Sequence, residues 1–240
     1  MWDNQGGTIK GGTIKGMLPE RVTVYRGWMP PRTPPPIPAH PDAIIEKQDR
    51  AWSGRFAVDL IRFRHRRFDG TMSDARTWEL WRRGRAVALV PYDPVADTVV
   101  LIEQFRLPAL VAGLPPVMVE LPAGLIEDGE DPEAAMHREL EEEVRMTADR
   151  LMKIGGFLLS AGGCDEMLDI YLGRVHAPVT GILGHAGAEA EGEDIRARVW
   201  PAREAIARAL DGAFANSVTA IGLLWLAAKR EDLRKQWSEQ

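Results

Sequence analysis

The sequence predicts an α/β protein with a small β-sheet domain on its N-terminal side, and three observations carry that prediction. Strand-like segments flank an Asp69-Gly70 turn within residues 51–81. A second strand pair, AVALVPY and VVLIEQFR, follows within residues 85–106. One strongly marked helix then begins at Asp131, and further strands and an apolar C-terminal helix come after it. The chain divides accordingly into a flexible or Pro-rich extension over 1–43, a small β domain over 44–84 and a larger domain over 85–240.

Taken in order, residues 1–43 are poorly specified. GGTIKGGTIKG holds a direct five-residue repeat, too short for a repeat architecture, and MPPRTPPPIPAHP holds seven prolines and is expected to be extended. From 51 to 67, Phe56, Val58 and Leu60 alternate with smaller or polar residues, and the phase then flips so that Ile61 and Phe63 oppose arginines. A bulge near Leu60 would produce that flip. Asp69-Gly70 is a strong turn signal, and the return strand passes through Trp78 and Trp81. Aromatics of this size on so small a sheet need cover. A partner subunit or the rest of the same chain supplies it, and a homodimer is expected.

The hairpin of residues 85–106 turns at Asp93-Pro94 to Asp97 and ends on Arg106. A guanidinium there could clamp a phosphate with two parallel hydrogen bonds; the competing reading is a surface salt bridge. In ELPAG, Pro122 and Gly124 fix a tight loop whose carbonyls could face a cation. The helix follows, with Asp131 as N-cap, Pro132 at the first helical position and an end near Val144. Met136, Leu140 and Val144 share its inward face. Glu139 and Glu143 form a like-charge i,i+4 pair that costs roughly a few tenths of a kcal/mol in an isolated helix, so a positive partner is expected. Clustered carboxylates are the hard oxygen ligands that Mg²⁺ or Mn²⁺ prefers. Two strands follow, within 151–160 and 167–176, joined by SAGGCDE. There Ser160 and Glu166 are candidates for ribose or phosphate contacts, or parts of an ordinary hairpin loop. Residues 177–193 read as a long irregular loop ending in Glu189, Glu191 and Glu193, a natural place for a mobile general base. RARVW is the last strand, Pro201 opens a helix, and Ala215 to Trp225 reads as core rather than site.

Composition narrows the function. Of 240 residues 45% are hydrophobic, ample for a core, and the net charge of -5 argues against a generic nucleic-acid binder. Residues 50–85 nevertheless carry ten arginines, no lysine and four acids. A basic segment facing an acidic helix suits a small anionic substrate held against a metal. The single Cys164 excludes an intramolecular disulfide and a CxxC site. No apolar run approaches the ~20 residues of a membrane span, no signal-peptide pattern opens the chain, and a cytoplasmic protein is expected.

Residues 124–146, GLIEDGEDPEAAMHRELEEEVRM, place Gly124, Glu130, Arg138, Glu139, Glu142 and Glu143 at the spacing of the Nudix hydrolase signature. The chain resembles that superfamily. Through RFRHRRFDGTMS, VVLIEQFR, ELPAGLIEDGE, SAGGCDE and EGEDI it is similar to the ADP-ribose pyrophosphatase branch. The resemblance implies an α/β/α sandwich with a mixed sheet and an N-terminal sheet domain exchanged across a dimer. It also implies Mg²⁺-dependent cleavage of ADP-ribose to AMP and ribose 5-phosphate. Carried over by motif position, Glu139, Glu143, Glu193 and the Ala123 carbonyl are the metal ligands. Glu142 completes the acidic cluster, Arg138 orients the glutamates, Glu191 activates water and Arg106 holds the diphosphate. Arg55, Phe56 and Trp78 are candidates for the adenine. Two positions depart from the pattern: Arg145 stands where the signature has glycine, and Ala161 where the branch often has proline. A GDP-mannose or other nucleotide-sugar pyrophosphatase, and a silent nucleotide-binding Nudix module, are the alternatives.

Overall fold

The computed structural model describes residues 33–178, 181–187 and 193–238. Three antiparallel strands form a separate sheet in the order β1 (Ala43–Ser53), β2 (Ala57–His65), β3 (Arg76–Arg82). The main sheet is built on β4 (Arg85–Asp93) and β5 (Thr98–Phe105). After a short helix α1 (Leu107–Val111), the strands β6 (Val117–Glu120) and β7 (Ala123–Leu125) lead into helix α2 (Pro132–Val144). Next come β8 (Arg150–Leu158), β9 (Met167–Arg174), β10 (Gly181–Ala186), β11 (Ile195–Pro201), α3 (Ala202–Leu210) and α4 (Ser217–Ser238). The eight main strands run β10-β11-β5-β4-β9-β8, with β6 on β5 and β7 on β4. β4 and β9 pair parallel and the other neighbours antiparallel, so the sheet is mixed.

The β4/β5 hairpin pairs only through Tyr92–Val99 and Asp93–Thr98 before its strands diverge. β6 completes the ladder of β5 and β7 that of β4, so the loop between them lies in the fork. Leu89 donates its backbone amide to the Pro122 carbonyl across that fork, at 2.9 Å. The sheet is apolar on both faces, as its central strands require. Ala88, Val90 and Tyr92 pack with Leu223 and Leu226 of α4, whereas Val87 and Leu89 pack with Met136 and Leu140 of α2. This is the expected three-layer sandwich.

In the small sheet the expected bulge near Leu60 is absent, because β2 pairs with β3 in unbroken register from Ala57 to Phe63. The irregularities lie in β1, between Ile45 and Lys47 and between Arg50 and Trp52. The even alternation places Asp59 on the same face as the buried Ala57 and Ile61. That carboxylate is fully buried and is bonded by Gln48, Arg50 and Arg82. A polar residue on a buried face, satisfied by partners distant in sequence, mimicked a change of phase.

Several elements escaped the sequence patterns. β1 occupies a stretch with no clear alternation, and β10 falls within the segment expected to be irregular. α4 continues to Ser238, beyond its apolar part. Helix α2 forms as expected: the Asp131 carboxylate accepts from the Glu133 and Ala134 amides, and the chain leaves at Arg145 in the left-handed conformation, φ 54° and ψ 42°. Arg145 therefore ends the helix where glycine would, instead of extending it.

Candidate functional site

The C-terminal half of α2 lies beside β7 at the fork of the main sheet, and a cleft of about 670 Å³ opens there. Its acidic floor is set by close backbone approach. A Cβ on Gly124 would stand well under 3.0 Å from all three carboxyl atoms of Glu139, so only glycine leaves that carboxylate its place. Behind it, Glu143 is 2% exposed and accepts the Ala123 amide at 2.8 Å. Arg138 ties the group together. Its guanidinium donates to Glu130 at 2.9 and 3.0 Å, to Glu139 at 2.7 Å and to the Leu125 carbonyl at 3.1 Å, and it stands 3.5 Å from Glu142.

Crowding of carboxylates in a buried place raises the cost of their charge. Burial pushes Glu139 up to about 7 against the pull of Arg138, with Glu142 and Glu193 adding repulsion. Burial also holds Glu143 well above the usual carboxylate range, although the Ala123 amide opposes it and Glu139 and Glu193 reinforce it. Arg106 stands across the cleft. Burial works against its charge, but Glu120, Glu143 and Glu193 outweigh that and hold the guanidinium more firmly protonated.

These carboxylates are the donor type a hard divalent cation takes, and their mutual repulsion is what such a cation relieves. Among the described residues no three acidic, histidine or cysteine side chains already converge on a common point. Glu139 is turned onto Arg138 and Glu143 onto the Ala123 amide. Small divalent ions of the Mg²⁺ kind need only one or two carboxylates, with water and phosphate oxygens completing the shell, so the chemistry of the set fits such an ion.

Of the residues singled out in the sequence, Arg55, Phe56, Arg106, Ala123, Arg138, Glu139, Glu142, Glu166 and Glu193 line this one cleft. Glu143 lies just behind its floor. Trp78 is half exposed on the small sheet and packs edge-on against Phe63, 5.0 Å between ring centres, outside the cleft lining. Ser160 is exposed; its carbonyl accepts the Gly163 and Cys164 amides, and its position serves the turn. Glu191 lies outside the described residues. Sequence reasoning passed over Arg83, whose guanidinium lies over both Phe56 and Trp81 and pairs with Glu166 at 2.9 Å. Only its membership of the arginine-rich segment pointed to it. The small sheet reaches this wall through Arg82, which bonds both Asp59 and Asp165, while Asp165 accepts the Arg83 and Gly84 amides.

A family model described as NUDIX domain matches residues 82–220. The ADP-ribose pyrophosphatase of Escherichia coli (strain K12) is 38% identical over 197 residues, covering 82% of this chain and 93% of that protein. The GDP-mannose pyrophosphatase of Yersinia pestis (strain Pestoides F) is 33% identical over 142 residues, 59% of this chain and 70% of that protein. A solved structure of an ADP compounds hydrolase superposes with a TM-score of 0.60 at 21% identity, over 83% of this chain and 98% of that one, a likeness of fold.

Proposed function

The chain belongs to the Nudix domain family, and from that premise we propose that it is a Mg²⁺-dependent pyrophosphohydrolase cleaving ADP-ribose to AMP and ribose 5-phosphate. The observation that carries this reading is the pair of buried carboxylates, Glu139 and Glu143, held beside Gly124 opposite the Arg106 guanidinium. The greater identity and coverage of the ADP-ribose pyrophosphatase relative support this substrate over GDP-mannose.

In this reading Arg106 binds the diphosphate, and Arg138 keeps Glu139 and Glu142 in place. Glu193, Glu139, Glu143 and the Ala123 carbonyl would hold the divalent cation, which neutralises diphosphate charge and polarises phosphorus when bound. Glu191, the first glutamate of EGEDI, takes the proton from the attacking water. Glu166 contributes to the sugar side, while Arg55 and Phe56 offer a cation and a ring to a flat base. Trp78, outside this chain's own cleft, would act from a second copy. Half-exposed Trp52 and Trp78 on the small sheet support a homodimer with exchanged sheet domains. The lone buried Cys164 suits a cytoplasmic setting, and among the described residues no helix is long and apolar enough to cross a membrane.

The test is a nucleotide-sugar panel with and without Mg²⁺, with both products identified by mass. ADP-ribose should be the best substrate and should give AMP. A preference for GDP-mannose with GMP release would transfer the reading to the second substrate, and metal-independent binding without turnover would make the chain a silent module. Sedimentation would check the dimer.

A further inference from the structure

We propose that Asn216 is a positioning residue for this site: as the N-cap of α4 it holds Glu120, and through Glu120 it sets the Arg106 guanidinium against the substrate's diphosphate. The proposal rests on the reading of Arg106 as the diphosphate clamp.

The contacts form a short chain. Glu120 is 5% exposed and uses both carboxylate oxygens. Its Oε2 accepts from Arg106 Nε at 3.0 Å and Nη2 at 2.6 Å. Its Oε1 accepts from Asn216 Nδ2 at 3.0 Å. The other end of the same amide caps α4, because Asn216 Oδ1 accepts the Thr219 amide at 3.0 Å. Chemistry fixes the orientation of that amide group. A backbone N–H only donates and a carboxylate beside arginine only accepts, so one placement of oxygen and nitrogen satisfies both.

Thr219, fully buried, adds a second tie. Its Oγ1 accepts the Leu121 amide at 3.1 Å. The first turn of α4 therefore grips the Glu120 side chain and the Leu121 backbone together. Pro122 has no amide to offer, and the next residue, Ala123, already donates to Glu143. Two residues separate the helix's grip from the cleft floor.

Without the Asn216 donor, the buried Oε1 of Glu120 has lost its partner, and the carboxylate turns to share Arg106 between both oxygens. The paired N–H geometry that points Arg106 across the cleft is then relaxed, whereas the cap need not be. Serine and aspartate are N-caps about as good as asparagine, so substitution separates the two roles. Asn216→Ser keeps a capping oxygen and loses the Nδ2 amide that reaches Glu120, its shorter hydroxyl being engaged at the cap. Asn216→Asp keeps the cap and sets a carboxylate against Glu120.

Steady-state kinetics on ADP-ribose, thermal melts and the Arg106 Nε–H NMR signal, assigned with Arg106→Lys, test this. Asn216→Ser should melt within about 2 °C of the parent. Its KM should rise about 3- to 10-fold with kcat changed less than about twofold, as expected when uniform binding is lost. Asn216→Asp should raise KM further, and both should speed exchange of the Arg106 Nε–H. In an Arg106→Ala background Asn216→Ser should add nothing to KM. Unchanged KM and an unaltered Nε–H signal in both variants would overturn the proposal, as would an additive effect without Arg106. If the parent hydrolyses no nucleotide sugar, the functional reading fails by itself and the Nε–H signal still decides the role of Asn216; should Asn216→Ser fail to fold, the aspartate variant carries the same NMR comparison.

Discussion

Gly124→Ala isolates the cleft floor from the rest of the fold. The new methyl would occupy the space of the Glu139 carboxylate, but that carboxylate is the far end of a flexible side chain, held among the described residues by Arg138 alone, and the Gly124 backbone is not in the left-handed region. Glu139 must swing away; the backbone need not. The stability consequence follows from its raised pKa. Below about pH 4.5 the carboxyl is neutral in both states and costs nothing; as pH rises through about 7, keeping it buried comes to cost stability. The shift from 4.5 to about 7 corresponds to roughly 3 kcal/mol at pH 8. Release of Glu139 to solvent recovers up to that amount, and loss of glycine's freedom in the unfolded chain adds about 0.4–1 kcal/mol. Gly124→Ala should therefore melt at or above the parent temperature at pH 8, yet lose at least about 100-fold in kcat/KM, the scale on which a displaced metal ligand or its support is felt. Calorimetry without metal and product assay with Mg²⁺ read the two halves. Turnover within about threefold of the parent would refute the requirement for Glu139 at this point, and a melt several degrees lower would refute the claim that the side chain yields before the backbone.

Divalent cation and pH should be linked through the same groups. Since burial and mutual repulsion raise Glu139 and Glu143, the metal-free protein should lose stability as pH rises from about 5 to 8; Mg²⁺ should restore more of the melting temperature at pH 8 than at pH 5.5, and equal shifts would contradict the assignment. Arg145→Gly should relieve left-handed strain of ~1 kcal/mol and raise the melting point by about 2–4 °C with activity retained. Glu191→Gln should lower turnover by ~10²–10⁴ at an unchanged melting temperature, as expected for a general base, and activity near the parent's would remove it from that role.

Local chemistry made much of this protein legible in its sequence. Asp131 and Pro132 start α2, the Met136–Leu140–Val144 stripe aims it at the sheet, and the four-residue spacing of Glu139 and Glu143 sets two carboxylates one turn apart on the same helix. Each is a relation between residues close along the chain, where turn chemistry and helical periodicity leave little choice. What only the tertiary structure decided lies across long separations. The fork of β4 and β5 that seats ELPAG, the burial of Asp59 among Gln48, Arg50 and Arg82, the contact of Arg83 with Phe56, and the grip of Asn216 on Glu120 each join residues whose alternation or composition says nothing of the partner. A buried polar group needs a partner but its own sequence does not say where that partner is; packing chooses it, and so the carboxylates were readable in advance while the residues that aim them were not.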